Sequence, residues 1–429
     1  MPYNFGGRAR VLLLSLAVPI LSVPYAGGAA LGAPRRAEPA AEGRALWINR
    51  FEYNSAAEIA EAIARAASAN FNVIYFQVRG QGDAYYRSHL EPCAIRLCGT
   101  LGNGSPPYDP LEIAVREAHA RGIQLHAWLN ALTGWAAPTE NNAAFCSVLI
   151  ESRRGSPRHM LLAHPDWVMT TRDGTPMDCY TSQEPEYAYV SPGIPAVRAH
   201  LAAVAADVVR RYAVDGVHLD RIRYPGPGWS YDEPSLSSFR ARYRREPGSA
   251  SDSDWARFRR EQIDATVKAV FDSITSVRPG VSLSAAVWPV HDRTAFGWPS
   301  SSGVSQFYQN PRVWASGGYV DVVAPMAYFA INERYCSYNL PGGHTNPDWA
   351  CLLDDHQTGL RGTRARLYMG LWAELGAEEV ARQVRLGREK GVDGFAVYSY
   401  ASADAAGLFA SLPATVFADR AVVPPIVRN

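Results

Sequence analysis

Lysine is nearly missing from this chain. Of 429 residues only two are lysines, Lys268 and Lys390, and both fall on expected helices. Schiff-base chemistry in a barrel needs a lysine at a strand end, so aldolase and pyridoxal mechanisms are disfavoured. The 10 histidines contain no His-x-His and no His-Glu-x-x-His, which argues against a histidine-rich zinc hydrolase. There is no Gly-x-x-x-x-Gly-Lys-Ser/Thr phosphate loop and no Gly-x-Ser-x-Gly nucleophile turn. Charge of one sign is lacking too. The formal net charge is +1, so no broad basic field favours nucleic acid. Nothing in the residues implies a cofactor or a metal.

Long apolar runs are also scarce. Val11 to Val23 is apolar but short for a membrane span. Arg8 and Arg10 precede it, and small residues from Ala29 to Ala33 follow. That pattern reads as a secretory signal over 1–33, with an uncleaved anchor as the alternative. Residues 34–42, rich in Ala, Pro and Arg, read as a disordered linker. The expected product is secreted or periplasmic, with no stable membrane span. The cysteines agree with export: Cys93, Cys98, Cys146, Cys179, Cys336 and Cys351 are an even set, suited to disulfides in an oxidising compartment. Nearest-neighbour pairing is the expectation. A zinc site is the weaker reading, because no close Cys-x-x-Cys pair occurs.

From Gly43 onward, strand and helix signals alternate. Strands are expected at 44–49, 73–79, 123–130, up to 220, 281–288, 320–328, 366–372 and 392–400. Helices fall between them, with Ser55 and Ser253 or Asp254 as caps, and Ser402 to Phe417 closes the set. Eight strands each followed by a helix predict an α/β fold, a (β/α)8 TIM barrel over 43–418 with long strand-to-helix loops. Residues 419–429 form a C-terminal tail. A doubly wound sheet is the rival, weakened by the missing Gly-x-Gly-x-x-Gly turn. Every cysteine lies in or beside a long loop on the rim where barrel active sites sit.

The most informative stretch runs from Val214 to Pro225. Strand side chains alternate, so Val217 and Leu219 share one face while His218 and Asp220 share the other. A carboxylate at the end of an apolar strand needs a partner or a task. Acetal cleavage uses a pair of carboxyl groups, one to protonate the leaving oxygen and one to steady or attack the oxocarbenium centre. Asp220 is the leading catalytic candidate; a mere ion pair with Arg79, Arg221 or Arg223 is the bland alternative. Glu52 and Glu374 are candidates for the second carboxylate, with Asp83 behind them, and an acetamido group of the substrate could replace it. Gln77, Arg79 and Asp83 after the second strand are expected to bind substrate. So are His126, Trp128 and Asn130 on one face of the third, and His218, Arg223 and Tyr224 around the fourth. Trp288, Tyr328, Trp372 and Tyr400 near other strand ends are expected to supply aromatic surface. Several of these have a competing reading as core, His126 above all.

Taken in order, several motifs resemble the glycosyl hydrolase-like 10 family. They are Trp47-Ile48-Asn49-Arg50-Phe51-Glu52-Tyr53, Phe76-Gln77-Val78-Arg79-Gly80, Gly82-Asp83-Ala84-Tyr85-Tyr86 and His126-Ala127-Trp128-Leu129-Asn130. His164-Pro165-Asp166-Trp167, the stretch from Asp215 to Pro225, and the run from Asp321 to Tyr328 complete the set. The resemblance covers roughly residues 43 to 415. It implies a (β/α)8 barrel, bacterial export and action on a carbohydrate polymer, with cell-wall glycan strands as the associated substrate class. Two positions depart from the pattern. Many relatives carry a second Asp where this chain has Arg221, and the Cys of a lipid anchor is missing. A glycoside hydrolase is the expected activity, and a non-catalytic glycan-binding barrel is the rival.

Overall fold

The computed structural model describes residues 40–102, 106–136, 156–177, 187–249, 251–292, 302–332 and 347–428. The expected signal segment and residues 34–39 of the expected linker lie outside them. Among the described residues there are ten strands: β1 (Gly43–Ile48), β2 (Val73–Arg79), β3 (Gln124–Asn130), β4 (Thr133–Ala136), β5 (Tyr187–Tyr189), β6 (Gly216–Asp220), β7 (Ser282–Val287), β8 (Val322–Pro325), β9 (Arg366–Trp372) and β10 (Gly394–Tyr398). Eight of them close a parallel barrel in the order β1-β2-β3-β6-β7-β8-β9-β10. The last strand pairs with the first, Gly43 opposite Gly394. β4 and β5 form a separate antiparallel pair within the long connection after β3, an element without a sequence signal.

Period-two alternation sorts the barrel's side chains into two sets. Leu46, Ile74, Phe76, Leu125 and Val217 cluster with helix residues such as Ile59 and Ile63 in the outer core. Trp47, Tyr75, Trp128, Ala286, Ala324 and Tyr368 make a second cluster, the filled barrel interior. Bulk on one strand requires its absence on the next. A Cβ on Gly216 would come within 2.4 Å of the His126 ring, so glycine there lets His126 lie inward.

The helices start where short polar side chains can cap them. Ser55 accepts the Glu58 amide at 3.2 Å for Ala56–Ser68. The long helix Ser253–Val277 is capped by Asp252 rather than its neighbours, because Asp252 takes the amides of Asp254 and Trp255. The final helix divides at Gly407, which has φ +66°, into Tyr400–Ala405 and Leu408–Thr415. An additional helix, Glu233–Tyr243, sits in the loop after β6.

The C-terminal segment runs across the barrel's N-terminal end. Val422 exchanges backbone hydrogen bonds with Ala40 and Glu42 at 3.0 and 2.9 Å. Arg428 pairs with Asp321 and donates to the Val281 carbonyl at 2.7 Å. No helix among the described residues is long and apolar enough to cross a membrane. Cys93 and Cys98 form a disulfide, and Cys351 is disulfide-bonded as well. Cys146, Cys179 and Cys336 lie outside the described residues.

Candidate active site

Asp220 closes β6 at the C-terminal rim, in register with Asn130 of β3. The next residue, Arg221, adopts φ +52°, a left-handed backbone that costs a non-glycine residue energy and is common at functional turns. That turn brings the Arg221 amide to 2.6 Å from Asp220 Oδ1. Arg223 Nη1 stands 3.6 Å from the same oxygen, and the Asp220 side chain keeps 13% of its surface exposed. The carboxylate is therefore neither sealed nor locked in a bidentate pair. The Arg223 guanidinium lies 5.3 Å above the Trp288 ring, which packs on Phe307.

Two stacked phenols face this carboxylate, with the Tyr328 and Tyr398 rings 5.3 Å apart. Burial raises the Tyr328 pKa well above normal, aided by Tyr398 and Asp220. Burial, then the charges of Asp220 and Glu52, push Tyr398 up to about 12. Both are thus neutral hydrogen-bonding groups beside an acid. Arg221, Arg223, Trp288, Phe307 and Tyr328 line a cleft of about 630 Å³. Among the described residues, further clefts of 540 to 630 Å³ open around Arg366 near the opposite end. Size does not choose between them. The carboxylate at a strand's C-terminal end does, because barrel chemistry is done at that face.

Beside Asp220 lies a saturated polar network. Gln77 Oε1 accepts the Arg50 amide and Nη1, each at 3.1 Å. Gln77 Nε2 donates to Asn130 Oδ1 at 3.0 Å, and Trp128 Nε1 donates to the same oxygen at 3.2 Å. Arg50 Nη2 then reaches the Tyr187 hydroxyl at 3.0 Å. All of Gln77, Trp128 and Asn130 are buried. They act together to hold Arg50 and the β3 tip. Asp83, also buried, accepts the amides of Gly80 and Gln81 in the turn after β2.

Other expected binding residues are engaged within the protein. Arg79 is fully buried. It pairs with Glu91 at 2.8 Å and donates to the backbone carbonyls of Asn130, Ala131 and Thr133, so it fastens the loop after β2. His218 lies inside the barrel. Trp47 Nε1 donates to its Nε2 at 3.0 Å, so Nδ1 carries the proton toward Ser284 Oγ at 2.9 Å, and Tyr75 stacks on the ring at 3.9 Å. Burial, then nearby His126, drive its pKa well below normal. His126 itself sits near the other end, its pKa lowered by burial to about 4. Tyr224 is buried edge-on against Tyr308. Tyr400 packs among Arg65 and Phe409 in the helical layer. β10 ends at Tyr398, two residues before the expected limit, so the inward tyrosine at its tip is Tyr398.

The carboxylates proposed as a second catalytic group differ in setting. Glu52 Oε1 accepts the Ser399 hydroxyl and the Ala401 amide, and Oε2 accepts the Asn49 amide at 2.7 Å. Burial raises its pKa against these donors. Glu374 is exposed and accepts from Ser402 at 3.1 Å. Trp372 is half-buried at the β9 tip, in register with Tyr398. The sequence alone does not single out Arg50, Tyr187, Arg221 or Tyr398 as site residues. Alternation along β10 could have found Tyr398, whereas Tyr187 comes from a short strand in a long loop. No group of three or more His, Cys, Asp or Glu among the described residues is arranged to hold a metal ion.

Comparison with known proteins bears on this geometry. Glycosyl hydrolase DigH of Escherichia coli (strain K12) is 29% identical over 307 residues, 70% of this chain and 62% of that protein. Glycosyl hydrolase YngK of Bacillus subtilis (strain 168) is 26% identical over 336 residues, 74% of this chain and 58% of that one. The chain thus spans 62% and 58% of the length of these two curated relatives. Among solved structures, the PgaB (BpsB) glycoside hydrolase domain from Bordetella bronchiseptica aligns with TM-score 0.59 at 14% identity, covering 86% of this chain and 99% of that domain. The catalytic domain of a beta-amylase from Paenibacillus polymyxa aligns with TM-score 0.57 at 10% identity, covering 85% and 94%. At such identities the likeness is one of fold. The family model for glycosyl hydrolase-like 10 matches residues 42–339, and the chain belongs to that family.

Proposed function

We propose that the protein is an exported glycoside hydrolase that cleaves a polysaccharide, the peptidoglycan glycan of bacterial cell walls or a related amino-sugar polymer. The observation that carries this reading is the Asp220 carboxylate, partly open to solvent and set between Arg221 and Arg223 beside an aromatic cleft. Its N–H and guanidinium neighbours suit an anion that steadies positive charge developing at the anomeric carbon. Glu52 is the second carboxyl group, its pKa raised by burial, the direction that a proton donor needs. Tyr398 feels the charge of both. The Cys93–Cys98 disulfide supports an oxidising, extracytoplasmic setting.

A non-catalytic glycan-binding barrel is the second reading, favoured by one observation. Both Glu52 oxygens already accept hydrogen bonds, and Glu374 is engaged by Ser402. The experiment digests peptidoglycan glycan strands, chitooligosaccharides and other polysaccharides and counts new reducing ends. Asp220→Asn and Asp220→Ala are expected to lower turnover on the order of 10³-fold or more with unchanged circular dichroism. Full activity in both variants refutes the assignment. Tight binding without any cleavage by the natural protein selects the second reading.

A further inference from the structure

We propose that the glycan lies in one trough running along β5, open on both sides of Asp220, so that the enzyme cuts within chains, and that Phe51 is a sugar-stacking platform in that trough. This rests on the glycosidase reading above and adds the mode of attack. A second cleft of about 630 Å³ adjoins the first and is lined by Arg50, Phe51, Asp83, Tyr85, Tyr187 and Arg221. Arg221 belongs to both clefts. β5 gives Tyr187 to the second and Tyr189 to the first. Residues two apart on a strand share a face, so the clefts follow one another along one face of β5. Arg221 lies over the Tyr187 ring at 5.3 Å and marks the junction, directly after Asp220 in the chain.

That order decides the mode of attack. An enzyme that trims chain ends needs a wall beyond the carboxylate to stop the polymer. Among the described residues, aromatic surface continues on both sides of Arg221. Each cleft falls in the range of about 300–1,000 Å³ usual for ligand sites.

Phe51 is the second observation. It is 59% exposed, more than any other large hydrophobic residue among those described. It is also held in place. The Arg50 guanidinium lies 4.3 Å from its ring centre, Asn49 Oδ1 accepts its amide at 2.9 Å, and Arg96 donates to its carbonyl at 3.2 Å. A fixed, solvent-facing ring in a ligand cleft presents a flat apolar surface suited to the C–H face of a sugar.

The test uses peptidoglycan glycan strands fractionated by length and labelled at one end. Early products of the natural protein are expected to be internal fragments of mixed length. Affinity, measured with the Asp220→Asn protein, should rise with strand length before levelling. Adding Phe51→Ala should cut the ratio of long-strand to short-strand affinity about tenfold. Stepwise release of terminal sugars, or affinity independent of length, overturns this inference and leaves the glycosidase reading standing. An unchanged ratio in Phe51→Ala removes the platform. Neither binding nor cleavage of any strand overturns both readings.

Discussion

Glu91 offers the sharpest quantitative test of how the rim is built. Its carboxylate is 1% exposed and meets Arg79, which is 0% exposed, at 2.8 Å; His200 Nε2 lies 3.1 Å away. Burial alone would raise its pKa. The charges and hydrogen bonds of Arg79 and His200 outweigh that and bring it from 4.5 down to about 2. At about 1.36 kcal/mol per tenfold change in proton affinity, this corresponds to about 3 kcal/mol. A separate route agrees, since removing one member of a buried pair typically costs about 3–5 kcal/mol. Glu91→Gln is therefore expected to lower unfolding stability by about 3 kcal/mol at pH 7, measured from denaturant midpoints followed by tryptophan fluorescence. The sign with pH follows from a folded-state value below the unfolded one. The stabilisation is fully present above pH 4.5 and is lost as pH falls toward 2. The gap between the natural protein and the Glu91→Gln variant should close over that window. A gap below about 1 kcal/mol at neutral pH, or one that persists on acidification, refutes this account of the pair.

Two further predictions concern the interior and the rim loop. His126 is folded in its neutral form, with a pKa lowered from 6.5 by burial to about 4. It stabilises the fold above pH 6.5 and loses that contribution as pH falls toward 4, so His126→Asn should remove about 1 kcal/mol per pH unit of acid sensitivity, read from midpoints at about pH 7, 6 and 5. An unchanged slope contradicts the assignment. The Cys93–Cys98 bridge closes a loop with a sequence separation of 5, and Cys93→Ala with Cys98→Ala is expected to cost about 2 kcal/mol by loop-closure entropy. Thermal melts of oxidised and substituted protein check it.

The barrel is legible in the sequence because its period-two and helical patterns are long and punctuated by clear caps; β2 and β9 match their expected limits residue for residue. Asp220 is legible for the same reason, as a charged residue on the inward face of an apolar strand. What alternation cannot tell is depth. His126, His218 and Asp220 share one face of the barrel wall, yet the first two lie below the rim, where tryptophan, tyrosine and serine close over them. Arg79 reads as a ligand contact because its partner, Glu91, stands 12 residues away in a loop with no periodic signal. Tyr187 and Arg50 meet across 137 residues, a juxtaposition that only the closed fold creates.

The clasp on Glu52 joins residues 347 positions apart, Glu52 after β1 and Ser399 after β10. Those two strands are also the seam that closes the ring. Tyr398, which senses Asp220, arrives with the last strand. Recovery of the proposed activity during refolding would thus report closure of the ring between β1 and β10, a long-range contact of the kind that slows folding. A fragment lacking either of these strands would have no closed rim around Asp220.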